Sequence, residues 1–131
     1  MAIKELNWHT WLKQGDEYCK AVLPGNTSRF GTDIRYNLIS MAFESYVMAI
    51  LDFHKNMPEN HTFIDLITAL ETVMPVDELL KQRILKYESI QSICSIDKYY
   101  RVDPTEAEIT DLKGAIDEIS IIAHKTCVAV V

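Results

Sequence analysis

Residues 32–56 constrain this chain most, because their apolar positions repeat like one face of a helix. Ile34, Leu38, Met41, Ala42, Tyr46, Ala49, Ile50 and Phe53 recur three, four and seven apart, which predicts a long amphipathic helix with a buried stripe. Thr32 or Asp33 caps its start, and Pro58-Glu59-Asn60 ends it. At the usual rise per residue such a helix spans roughly 35 Å, as long as a small domain is wide. A rod of that length with an oily face needs other elements to cover it.

The remaining segments supply that cover. Residues 3–23 put Leu6, Trp8, Trp11, Leu12, Tyr18, Cys19 and Val22 on a second helix, with Gly15 as an expected bend or break. Pro24-Gly25-Asn26-Thr27-Ser28 is turn chemistry that stops it. Residues 62–73 predict a short helix that buries Phe63, Leu66, Ile67 and Leu70, opened by Thr62 and Asp65 as an acidic form of the capping box. Pro75 suits the first turn of the next helix, which carries Leu79, Leu80, Ile84, Tyr87, Ile90, Ile93 and Cys94. Residues 95–102 have no stripe and read as a loop. Asp103 as cap, Pro104 as first helical residue and Glu106 at the capping-box position start the last helix. Its inward positions are Leu112, Ala115, Ile116, Ile119, Ile122 and Ala123.

No strand-like alternation of useful length precedes residues 126–131. That β-branched tail reads either as a frayed end or as a segment docking on a partner subunit. The expected architecture is all-α, an up-and-down bundle of four long helices and one short one, forming a single domain over residues 1–131. With 48% hydrophobic and 24% charged residues in 131, the chain has enough apolar surface to order without a staple.

Charge and motif spacing then remove several function classes. Thirteen Lys and Arg against nineteen Asp and Glu give a net charge of −6, whereas nucleic-acid binders carry a basic face, so nucleic acid is disfavoured as a partner. Three cysteines without C-x-x-C spacing fit neither a disulfide framework nor a zinc knuckle, and read as small apolar residues in a reducing compartment. No apolar leader or 18-residue apolar run is visible, so the cytoplasm is the expected location and no membrane contact is expected. None of His9, His54, His61 or His124 follows a Glu by three residues, so the di-iron bundle pattern is missing. Phosphate-cradling glycine motifs are absent as well. No metal, no other cofactor and no catalytic residue is expected.

Five polar residues stand out as ligand-binding candidates. Glu44 lies mid-way along the long apolar helix, with Arg35 nine residues before it. It either faces a ligand or is solvated or paired across helices. Tyr99-Tyr100-Arg101 joins two stacking faces to a guanidinium, suited to a base or phosphate edge. Its plainer role is closing the bundle end, with Arg101 paired to an acidic neighbour. His61 reads as part of the third helix's cap, His124 as a last-turn cation and His9 as exposed.

Three strings in this helix order resemble the HEPN family of helical domains. They are Arg35-Tyr36-Asn37-Leu38 through Glu44 to Leu51, Pro58-Glu59-Asn60-His61, and Asp97-Lys98-Tyr99-Tyr100-Arg101-Val102-Asp103-Pro104 ahead of a helix with Ala107 and Ala115. The resemblance implies a bundle that dimerises. In the family, one branch pairs with minimal nucleotidyltransferases and another consists of metal-independent ribonucleases. The ribonuclease branch needs an Arg followed after four to six residues by a His, and neither Arg29, Arg35, Arg83 nor Arg101 has one. The expectation is therefore a catalytically silent HEPN-like homodimer that binds a nucleotidyltransferase-type partner, a nucleotide or a small polar ligand. The alternatives are a ribonuclease with a non-standard site around Tyr99, Arg101 and Glu44, and a structural bundle without ligand.

Overall fold

A computed structural model describes residues 7–22, 31–58, 60–96 and 104–128, with backbone only over 88–96. Among these residues there are five α-helices and no strand: α1 Trp8–Ala21, α2 Thr32–Phe53, α3 Phe63–Glu71, α4 Glu78–Ile96 and α5 Glu106–Thr126. Side chains that accept free N–H groups set most of the starts. Asn7 accepts from the Thr10 N–H at 3.2 Å, Thr62 from Asp65 at 3.2 Å and Asp77 from Leu80 at 3.0 Å.

α2 is the hub. It packs against α1, α3 and α5, while α4 reaches α3 and α5. Trp8 meets Phe53 at the far end of α2 and Gly15 lies against Tyr46, so α1 and α2 are antiparallel. Arg35 reaches Glu106 and Tyr46 reaches His124, so α5 runs with α2. Arg83 bonds Glu118 whereas the later Tyr87 bonds the earlier Asp111, which sets α4 against α5. The four long helices thus alternate in direction. Short α3 runs with α2, because Phe63 stacks edge-on to Phe43 with centroids 4.9 Å apart and Asn56 bonds Thr72 beyond its other end.

Enclosure by three helices changes which residues of α2 are buried. From Ala42 to Leu51 every residue except Glu44 is buried. In the first half the buried positions are Tyr36 and Ile39, while Ile34 and Met41, expected in the core, are 44% and 45% exposed. α3 buries Phe63, Leu66, Ile67 and Leu70 as expected. In α4, Leu80, Ile84 and Tyr87 are buried but Leu79 is exposed.

Several boundaries move for identifiable reasons. α1 passes through Gly15 without a break. α2 ends at Phe53, before Pro58; Lys55 just beyond it has a left-handed φ of 59°, which lets the Asn56 N–H close onto the Leu51 carbonyl at 2.8 Å. Pro75 precedes α4, because Asp77 rather than Pro75 sets its first turn. Ser95 and Ile96 belong to α4 and not to a loop. The start of α5 lies two residues later than expected. Thr105 accepts from the Glu108 N–H at 3.1 Å, and Glu108 accepts from the Thr105 N–H at 3.0 Å, a complete capping box. At the other end Thr126 closes α5, Cys127 is buried and Val128 is exposed. The rest of the 126–131 tail lies outside the described residues.

Candidate functional site

The first turns of α2 and α5 meet through one ion pair. Arg35 donates from Nη1 to Glu106 Oε2 at 2.8 Å and from Nη2 to Glu106 Oε1. This is the fork-to-carboxylate geometry that gives a guanidinium its strongest contacts. The two partners differ sharply in environment, for the Arg35 side chain is 14% exposed and that of Glu106 71%. Arg35's hydrogen bonds hold the Glu106 carboxyl below its usual range, and Glu106 in turn raises the guanidinium's proton affinity. Arg35 Nε is buried and, among the described residues, has no hydrogen-bond partner.

A second polar seam continues along α4 and α5. Tyr36 donates its hydroxyl to the Tyr87 carbonyl at 2.8 Å, and Tyr87 donates to Asp111 Oδ2 at 2.6 Å. The Tyr87 hydroxyl and, after it, the Arg83 guanidinium hold the Asp111 carboxyl below its usual range, against the opposing effect of burial. Burial pushes the Tyr87 phenol up, so it remains a donor across ordinary pH. Arg83 also bonds Glu118 at 2.5 Å.

Arg35 and Glu44 are not brought together. Nine residues at 100° each turn them to opposite sides of α2, roughly 13 Å apart along its axis. Glu44 instead lies 3.3 Å from His61 Nδ1, so it is paired across elements and His61 braces the entry to α3. Tyr99, Tyr100 and Arg101 lie outside the described residues. His9 stacks on Trp8 and is exposed.

Sequence reasoning missed the densest polar node. Tyr46, buried in α2, donates its hydroxyl to Asp16 Oδ1 at 2.7 Å, and His124 Nε2 reaches the same oxygen at 2.9 Å. His124 is therefore tied to α1 and is more than a last-turn cation. The clue was Gly15: a glycine inside a helix marks a close approach, and here Tyr46 lies where its Cβ would stand. Burial pushes the Tyr46 phenol and the neighbouring Cys19 thiol up, so neither is activated as a nucleophile. Among the described residues, no three His, Cys, Asp or Glu side chains converge to hold a metal ion, and no helix is long and apolar enough to cross a membrane.

No family model, no curated protein and no solved structure matches this chain. The likeness to HEPN domains accordingly rests on the residue strings and helix order alone.

Proposed function

We propose that this chain is a HEPN-like helical protein that works by binding, as a homodimer that engages a nucleotidyltransferase-type partner or a nucleotide or other small polar ligand. The carrying observation is Arg35, whose side chain is 14% exposed and whose guanidinium lies at the joint between two helix starts. Glu106 already holds this fork with a carboxylate, and arginine suits planar, two-pronged recognition of phosphate or carboxylate. Arg101, which precedes the α5 cap Thr105 by four residues in sequence, supplies a second cation to the same stretch of chain. The histidines lend themselves to scaffolding: His61 meets Glu44 and His124 meets Asp16, while Arg35 and Arg83 meet carboxylates.

Light scattering with size-exclusion chromatography at tens of micromolar tests the reading together with thermal-shift screening against nucleotides. A dimer whose melting point rises with a nucleotide, or with a genomically adjacent nucleotidyltransferase, is the expected result. A strict monomer that responds to neither would refute it, and metal-free cleavage of mixed RNA would replace it with the enzymatic alternative.

A further inference from the structure

We propose that the outward face of α5, centred on Ile121, is the surface through which two copies of this chain pair, with the two α5 helices antiparallel. The proposal rests on the homodimer reading above and assigns its interface.

Position is the first argument. α5 packs on α2, α4 and α1. Glu118 reaches α4 through Arg83, and His124 reaches α1 through Asp16. Ile121 stands three residues from each, hence about 60° round the helix from both. It therefore points away from the bundle, between the two flanking helices, and it is 58% exposed. Leu79, 76% exposed, precedes Arg83 by one turn on the same edge of α4. Because α4 and α5 are antiparallel and Arg83 sits at Glu118, that turn carries Leu79 toward Ile122. Among the described residues, no other helix covers this face.

Charge order is the second argument, and it selects the occupant. Asp117 and Glu118 lie one turn before Ile121, and His124 and Lys125 one turn after it. A parallel partner in register would set acid against acid. An antiparallel partner, related by a twofold axis at Ile121, sets Glu118 of each copy beside Lys125 of the other on the α4 edge, and Asp117 beside His124 on the α1 edge. Lys125 is exposed and forms no ion pair among the described residues. The same axis brings the two Ile121 side chains together, with a Leu79 from each copy on the α4 edge, as an apolar centre rimmed by charge. The other exposed apolar pair, Ile34 and Met41 on α2, has no such match. Its helix carries acidic Asp33 and Glu44, and its one cation, Arg35, is held by Glu106.

Sedimentation velocity on the full chain, from about 1 to 100 µM so as to cover weak interfaces, tests this. The parent should be a dimer in the upper part of that range. Ile121→Lys should weaken self-association by about tenfold or more, the loss of a central anchor, whereas Met41→Lys on α2 should leave it unchanged. Lys125→Glu and Glu118→Lys each set like charges together twice per dimer and should each weaken it about fivefold. An equimolar mixture of these two variants regains both opposite-charge pairs and should associate like the parent. A dimer that survives Ile121→Lys, or a mixture no tighter than either variant alone, would overturn the proposal. If Met41→Lys dissociates the dimer instead, the homodimer stands and only this interface falls. A parent that is monomeric throughout removes both, and loss of an added, genomically adjacent nucleotidyltransferase in Ile121→Lys would then give the face to that partner. Circular dichroism verifies the fold of each variant, and Leu79→Lys, at the more exposed position, takes the place of Ile121→Lys should that variant fail to fold.

Discussion

Replacing Gly15 by Ala is the sharpest check on the packing of α1 against α2. A methyl group at this position would sit 2.6, 2.8 and 2.9 Å from three carbons of the Tyr46 ring, while ordinary contact begins at 3.4 Å. The ring has to withdraw by the difference, about 0.8 Å, or the helices have to part. Tyr46 is 1% exposed and its hydroxyl is anchored on Asp16, so neither movement is free. Overpacking of this kind costs about 1–3 kcal/mol, and a weakened hydrogen bond to a carboxylate adds about 1 kcal/mol. The better helix propensity of Ala returns about 1 kcal/mol. The net expectation is a loss of about 2 kcal/mol, or roughly 6–10 °C in melting temperature for a chain of this size. Thermal and urea unfolding followed at 222 nm would measure it. The same substitution in a Tyr46→Leu background meets no ring and should be neutral or stabilising, giving a coupling of about 2 kcal/mol in the cycle. A rise in melting temperature from Gly15→Ala alone, or an equal effect in both backgrounds, would refute the close approach.

Further outcomes follow from the caps, carboxylates and thiols. Thr105→Ala should lower stability by about 1 kcal/mol, since it removes the acceptor for the Glu108 N–H at the start of α5; denaturant titration would show it. Asp111, held below its usual range first by Tyr87 and then by Arg83, has a folded pKa beneath the unfolded one. Its contribution is therefore complete above about pH 4 and fades as pH falls through the folded value. Asp111→Asn should accordingly destabilise at pH 7, with an effect that shrinks as the pH is taken below about 4, measured as melting temperature against pH. Burial pushes the Cys127 thiol up to about 11. Alkylation at pH 8 should therefore leave Cys127 unlabelled in the native chain and label it on unfolding, as peptide mass mapping would reveal. Labelling in the native state would contradict the docked end of α5.

How much was legible depended on how many neighbours each helix has. α3 shows one buried face, and its four core residues follow directly from the 3.6 period. α2 is enclosed from several sides, so a single stripe missed Tyr36, Ile39, Phe43, Val47, Met48 and Leu51 and wrongly included Ile34 and Met41. The start of α5 holds two overlapping acceptor-x-x-Glu patterns, Asp103 with Glu106 and Thr105 with Glu108. Local rules do not choose between them; Glu106 is taken by an arginine 71 residues away, which leaves Thr105 and Glu108 to form the box. The same limit applies to the polar sites. Arg35 stood out in the sequence, but its partner did not, and Asp16 and His124 are separated by 108 residues. Spacing along a chain reports faces and caps, whereas cross-helix partners depend on how the rods are laid together.

The position of α2 also has a consequence for synthesis. The helix against which α1, α3 and α5 pack is made early, yet α5, which covers one of its flanks, is translated only after residue 105. Until then the nascent chain carries a bare strip of its own interior, including the Tyr46 ring before His124 comes against it. Such intermediates are the ones prone to stick to one another. Ribosome-bound fragments halted before Glu106 should therefore bind hydrophobic dyes and chaperones, and lose that binding once α5 has emerged.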